Sequence, residues 1–158
     1  MAETKQMEAL VSVDETDRAI LNQLIRDPRQ SYREIARKTM KSPATVMNRI
    51  KQLEKEKVIK GYTTMVDYDR LGYDITVIIE IQIAKGNLHL VEKKIASNPN
   101  VIAVYDNTGH FDATIIGRFK NRKSMDAFLK RIQKDSFVQR TETKLVLSTL
   151  KERWMGIA

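Results

Sequence analysis

The chain has no cysteine, two histidines and one tryptophan among 158 residues. Without cysteine there is no disulfide, no thiolate metal site and no cysteine nucleophile, which suits a reducing cytosol. His89 and His110 alone make no ligand cluster, so no metal site is expected even though His110 stands near Asp112. No glycine-rich phosphate loop is present, and no serine has a convincing histidine and acid partner, so catalysis and cofactors are not expected. Long hydrophobic runs are also missing. The longest apolar stretch, Ile75 to Ile83, is broken by Glu80 and Gln82 and is too short to span a bilayer. Met1 to Leu10 carries Glu3 and Glu8 and does not read as a signal peptide. These absences predict a soluble cytoplasmic protein with no membrane partner.

What is present is charge. Charged residues make up 30% of the chain and apolar ones 42%, a globular balance. The net charge is +8. Such an excess favours an anionic partner, either nucleic acid or an acidic membrane surface. The excess is not spread evenly. From Arg29 to Lys60 there are ten cations against three carboxylates, or +7, which is most of the total.

The first third reads as three helices. Asp14 is a plausible N-cap before Ile20, Leu21, Leu24 and Ile25, and Pro28 ends that helix. Ser31-Tyr32-Arg33-Glu34 reads as a capping box for a short helix whose apolar side is Ile35 and Ala36. Ser42 caps a third helix with Pro43 in its first turn, where the missing N–H costs nothing. Val46, Ile50 and Leu53 then form one buried stripe. After Val58, Ile59 to Tyr68 reads as strand-like, broken by Gly61, and links two halves.

The second half alternates and then changes period. Ile75, Val77, Ile79, Ile81 and Ile83 predict a long strand. Leu88, Val91 and Ile95 mark a helix ended by Asn98-Pro99, and Val101–Asp106 and Ala113–Phe119 are strands joined around Gly109. Met125, Phe128, Leu129 and Ile132 mark another helix, and Val138–Leu150 a last strand. The order β-α-β-β-α-β is ferredoxin-like. Ile78, Ile116 and Val146 point away from the helix-covered rows, and an uncovered apolar sheet face usually seeks a partner, so this half predicts a homodimer. The expected class is α+β. The expected divisions are a flexible N-terminus 1–12, a helix-turn-helix domain 13–60, a hinge strand or linker 61–73, a ferredoxin-like domain 74–151 and a tail 152–158. Trp154 in that tail reads as a buried or interface anchor.

With Val46, Ile50 and Leu53 facing in, the third helix turns Ala44, Asn48, Lys51, Gln52 and Lys55 outward, with Thr45 and Arg49 on the flank. Asn and Arg can make paired hydrogen bonds to adenine and guanine, and Ala44 and Thr45 can touch thymine methyls. The N-terminal part of such a helix enters the major groove of double-stranded DNA. Ala44, Thr45, Asn48 and Arg49 are therefore the candidates for base contact. Lys51, Gln52 and Lys55, with Tyr32, Arg33 and the cap Ser42, are the candidates for backbone contact. A solvated helix surface would carry the same residue types, and charge alone does not decide.

Assembled in this order, the chain resembles the Lrp/AsnC (feast/famine) family of transcriptional regulators. The likeness runs from Val13 to about Lys151 through VDETDRAIL, SYREIARKTMKSPATVMNRIKQLEKEKVIKGY, DYDRLGYD, the TGHFD turn and RTETKLVLSTLKE. The resemblance implies a winged helix-turn-helix domain, a hinge strand and a ligand-sensing ferredoxin-like domain. It also implies dimerisation through the sheets, often with assembly into octamers or other rings of dimers. An amino-acid effector is implied near Thr108, Gly109, His110, Phe111 and Asp112, with Thr141 in a region of family pockets. Asp112 and Thr108 can meet the two charged ends of an amino acid. Equally, Gly109 can serve only the hairpin turn.

The sequence departs from the family where glycine is usual and Met40 stands, followed by Lys41 in place of an apolar residue. Two other functions fit the same residues: an architectural DNA-binding protein with little sequence preference, and a ligand-binding or enzymatic ferredoxin-like module without specific DNA binding.

Overall fold

The structure, a computed structural model, describes residues 11–84, 86–152 and 156–157. Residues 1–10 and Trp154 lie outside the described residues, and so do the expectations placed on them. The chain divides into two units at Met65/Val66. The described part of Glu152–Ala158 belongs with the first.

The first unit holds α1 (Glu15–Arg26), α2 (Tyr32–Thr39) and α3 (Pro43–Lys55). Local chemistry sets each start. Asp14 accepts from the Asp17 N–H at 2.8 Å while its own N–H donates to Asp17 at 3.2 Å, a complete capping box. Ser31 and Glu34 make the same reciprocal pair on α2. Ser42 caps α3 by accepting from the Thr45 N–H at 3.0 Å, with Pro43 at the first helical position. Ile20, Ile35, Ala36, Val46 and Ile50 meet in one core, flanked by Leu24 and Ile59, while Ile25 stays on the surface. The end of the chain returns here. The Ile157 N–H donates to Asn22 Oδ1 at 2.8 Å, and Asn22 Nδ2 donates to the Ile157 carbonyl at 2.7 Å.

Met40 is left-handed, with φ 55° and ψ 40°. The Lys41 N–H donates back to the Ala36 carbonyl at 2.9 Å, the six-to-one bond of a Schellman ending. The turn between α2 and α3 therefore keeps its shape without glycine and carries the strain of a side chain in that region. Lys57 ends α3 in the same way at φ 57°, with Val58 bonding back to Leu53.

The second unit is a four-stranded antiparallel sheet of order β2-β3-β1-β4: β1 (Ile75–Ile83), β2 (Val101–Asp106), β3 (Ala113–Phe119) and β4 (Val138–Leu145). α4 (Leu88–Ala96) and α5 (Arg122–Gln133) cover one face. Val77, Ile79 and Ile81, each fully buried, pack beneath Val91, Ile95, Phe128 and Ile132. This is the βαββαβ arrangement that the periodicities predict.

Two expectations need correction. Residues 59–68 form no strand: they run as largely exposed irregular chain before a 3-10 turn at Asp69–Leu71. β-branched and aromatic residues there suggest a strand, but no neighbouring strand among the described residues pairs with them. The last strand stops at Leu145 rather than Leu150. Its partner sets the limit: β1 begins at Ile75, and the final rung is the Val146 N–H donating to Thr76. Beyond it Leu147 and Leu150 are almost wholly exposed.

Candidate nucleic-acid interface and effector cavity

On α3 the buried side is Val46, Ile50 and Leu53, and the exposed side carries Ala44, Asn48, Lys51, Gln52 and Lys55. Tyr32 and Arg33 are exposed at the start of α2. Several of these groups already have partners. The Ser42 and Thr45 hydroxyls share a hydrogen bond at 2.8 Å, and Gln52 donates to Glu56 at 3.0 Å. Tyr62 donates its hydroxyl to Glu54 at 2.8 Å; burial first and this carboxylate second push the phenol up to about 12.

Arg49 is the marked exception among the predicted base contacts. Its guanidinium turns back onto α1, reaching Asp14 at 3.0 Å and Asp17 at 3.3 Å. Asp17 is only 5% exposed. Arg49 thus neutralises the two carboxylates of the α1 capping box and ties α3 to α1. The same box holds the Asp14 carboxyl below its ordinary range, first through the Asp17 N–H and only later through Arg49. A cation on the flank of a recognition helix reads from sequence as a base contact. Its acidic partners lie far back along the chain, on another helix, and no local spacing reveals them.

In the second unit the turn after β2 has Gly109 at φ 117°, a backbone region that disfavours any side chain. Thr108, His110 and Phe111 border an open cavity of about 500 Å³, together with Glu80, Asp106 and Asn107. His110 stands edge-on to Phe111 at 5.1 Å, and the Arg140 guanidinium lies 5.9 Å from the Phe111 ring centre. Asp112 is not a lining residue. Its Oδ2 accepts the Ile83 N–H at 2.6 Å, and its own N–H donates to Ile81 at 2.9 Å, so it closes the end of β1.

Thr141 does not join this cavity either. It pairs with Ile81, on the side of the sheet that the helices cover, and accepts from Gln133 of α5 at 3.2 Å. Strand parity decides the matter: Glu80, Gln82 and Arg140 share the other face, so Arg140 rather than Thr141 reaches the turn. The TGHFD motif does not point to Glu80, Asp106 and Asn107, which line the cavity, or to Arg140, which stands beside Phe111; the β1 and β4 alternation carries the signal for Glu80 and Arg140. Two carboxylates border the cavity, Asp106 and the Glu80 that Lys144 already holds. Nearby Glu92 has a buried Oε1 without a partner among the described residues. Burial first, then Asp106, push its carboxyl up.

The sheet face away from the helices carries Ile78 opposite Ile116, with Ala103 beside Ile116 and the half-exposed Tyr105 beside Thr114. Glu80, Lys144 and Glu142 form an ion-paired row at its margin. Among the described residues no helix is long and apolar enough to cross a membrane, and no three acidic or histidine side chains gather to hold a metal.

Residues 13–60 match the family model described as winged helix-turn-helix DNA-binding, and residues 76–155 match the Lrp/AsnC ligand binding domain. An uncharacterized HTH-type transcriptional regulator of Pyrococcus abyssi is 40% identical over 89% of this chain and 95% of its own. The structure of E. coli AsnC superposes with a TM-score of 0.85 at 27% identity, covering 93% of this chain and all of that one. A Neisseria meningitidis regulator solved as an L-Met complex shares the fold, with TM-score 0.85, 21% identity and coverage of 93% and 97%. This chain belongs to the Lrp/AsnC family of HTH-type transcriptional regulators, its helix-turn-helix unit binding DNA and its sheet unit binding a ligand.

Proposed function

We propose that the regulator reads operator DNA through the outer face of α3, with Asn48 as the principal specificity residue and Ala44 and Thr45 as close neighbours. Lys51, Lys55, Tyr32 and Arg33 hold the backbone. Arg49 orients α3 against α1 and is a positioning residue in the unbound protein. The observation that carries this reading is the division of α3: its core stripe and its Arg49 clamp fix the helix, and Asn48 remains exposed on the N-terminal half that enters a major groove.

The open sheet face supports a homodimer built on Ile78, Ile116, Ala103 and Tyr105, and dimers of this kind can close into larger rings. Two half-sites would then lie one or more helical turns apart, roughly 34 Å per turn. The cavity beside the TGHFD turn suits a small ammonium-bearing effector such as an amino acid. Asp106, with Glu80 once it exchanges Lys144 for the ligand, meets the positive end, and the turn amides, with Arg140 beside Phe111, meet the negative end. Such a protein works in the cytoplasm, with the DNA it regulates.

One experiment tests the set. Operators are selected from random duplexes, then protected by wild type and by Asn48→Ala, with and without a mixture of the twenty amino acids. Asn48→Ala should lose operator preference by roughly 5- to 150-fold, the worth of a bidentate base contact of about 1–3 kcal/mol, and keep its affinity for random duplex. The amino-acid mixture should shift wild-type affinity or assembly. Unchanged protection by Asn48→Ala would move the recognition site elsewhere. An operator readily displaced by excess random duplex would favour an architectural role.

A further inference from the structure

The positive charge of this chain sits in two places. Besides the segment 29–60, residues 120–134 hold six cations against Asp126, or +5 in fifteen residues, whereas the whole chain is +8. The remainder is therefore net acidic. The second concentration is α5 and its approach: Lys120, Arg122, Lys123, Lys130, Arg131 and Lys134, all exposed. Lys123, Ala127, Lys130 and Lys134 follow one another at helical spacing on the side opposite the buried Phe128 and Ile132. At 1.5 Å per residue this row is about 16 Å long. Beside it Lys94, Arg131, Lys134 and Asp135 border a shallow hollow of about 380 Å³.

The fold itself does not ask for these charges there. Arg122 and Lys123 stand in the first turn of α5, where the helix dipole disfavours cations, and no acid accompanies them. α1 and α2, by contrast, carry Glu15, Asp17 and Glu34 in their first turns. Lys130 and Lys134 are a like-charged pair one turn apart, which weakens a helix. Carboxylates offset part of the charge: Lys130 meets Asp126 and Lys94 meets Asp135, each at 2.7 Å. The first turn and Lys134 still leave a cationic row. α3 shows the same pattern of no acid in the first turn and exposed lysines beyond it.

We propose that the outer face of α5 is a second, sequence-independent contact for the DNA backbone, engaged by duplex that continues beyond the operator. This rests on the DNA-binding reading above and deepens it. Phosphates along one strand are spaced about 3.4 Å on the duplex axis, so a row of this length can follow several of them. An acidic protein segment is the competing occupant. The extent of the row and the charge it shares with the DNA-binding unit favour duplex.

The test uses the full-length regulator and two duplexes: the operator within about two helical turns, and the same operator centred in about 150 bp, one persistence length. Wild type is compared with K123Q/K130Q/K134Q, with the charge-keeping K123R/K130R/K134R, and with R26Q/R70Q/K151Q, which removes the same charge elsewhere. Affinity is measured across a salt series, and thermal melts establish that each variant is folded. The glutamine triple should bind the short duplex within about twofold of wild type. On the long duplex it should bind more weakly, with a salt slope shallower by about 2–3, near 0.9 per lost phosphate contact. The arginine triple should behave as wild type and the remote triple should change the slope little. Equal slopes for wild type and the glutamine triple on long DNA would overturn the proposal, as would an equal loss in the remote triple. Capture of polyglutamate that depends on the row, with long-duplex binding unaltered, would overturn it in favour of an acidic partner. If wild type binds neither duplex, the operator reading itself fails. If wild type prefers its operator and the triples do not differ, only the α5 contact fails.

Discussion

The two units are stabilised by different kinds of contact. In the helix-turn-helix unit most determinants are local: the Asp14–Asp17 and Ser31–Glu34 boxes, the Ser42 cap and the Met40 turn each lie within a few residues of one another. Its core is small, gathered around Ile20, Ile35, Val46 and Ile50. The sheet unit instead relies on pairings between distant segments, with β1 at its centre between β3 and β4. The contrast suits their tasks. A small reader built from self-capped helices can present one face to DNA with little supporting mass. A sheet assembled from distant segments needs a broad and continuous core.

The largest effect should therefore come from the centre of the sheet. Ile79 is fully buried in β1, between Ile115 and Thr143 on the neighbouring strands. Ile79→Ala removes apolar contact and leaves a cavity, at a cost of about 2–5 kcal/mol in urea unfolding followed by circular dichroism. The comparison sharpens if the loss is confined to the sheet unit and a helix-rich transition survives. Loss of both transitions together would mean that the two units do not melt independently.

The next effect lies at a long-range polar link of the first unit, the Arg49 clamp. Arg49→Met strands Asp17 as a nearly buried carboxylate, at about 1–2 kcal/mol, the low end because the guanidinium is partly exposed. Adding Asp17→Asn should restore most of the loss, since the uncompensated charge is then gone. If Arg49→Met leaves stability intact but abolishes operator protection, Arg49 leaves its clamp to read bases, and its role as a positioning residue is wrong.

These particulars explain what can be read in the sequence. The helix starts of the first unit are legible because a cap and its target lie three residues apart, and β1 because alternation is a property of the strand alone, while β2 and β3 read as short apolar runs on either side of Gly109. The Arg49 clamp is hidden because Asp14 and Asp17 approach it only once α1 and α3 pack. The end of β4 is hidden because its last rung depends on where β1 begins. Thr141 falls on the covered side for a similar reason: its register against Ile81, not its place after Arg140, fixes its face.

A smaller effect is expected at the turn. Met40 is 90% exposed, so its side chain packs on little, while its backbone sits in the left-handed region. Met40→Gly relieves a strain of about 1–2 kcal/mol, and the greater freedom of glycine in the unfolded chain returns part of it. A net gain of about 1 kcal/mol or less should appear as a modest rise in Tm. A fall would show that the Met40 side chain contributes contacts beyond those of its backbone.

The smallest effect is a pH dependence that separates the units again. Glu34 and Asp14 are held below their ordinary values of 4.5 and 3.8, Glu34 chiefly by the Ser31 N–H and Asp14 chiefly by the Asp17 N–H. A carboxyl depressed in the folded state contributes stability that is fully present above its unfolded pKa and disappears as pH falls through the folded one. The helix-turn-helix unit should therefore be constant above about pH 5 and weaken below about 4.5, Glu34 acting first and Asp14 next. Glu34→Gln keeps a side chain able to cap the Ser31 N–H but removes the titration, so its stability should flatten on the acid side. In the sheet unit Asp135 is depressed chiefly by its bond to Lys94, so Asp135→Asn should flatten only that unit's acid loss. If Glu34→Gln and wild type weaken in parallel from about pH 5 to 3, the capping box does not govern the acid limit of the first unit, and the local character of its stability is overstated.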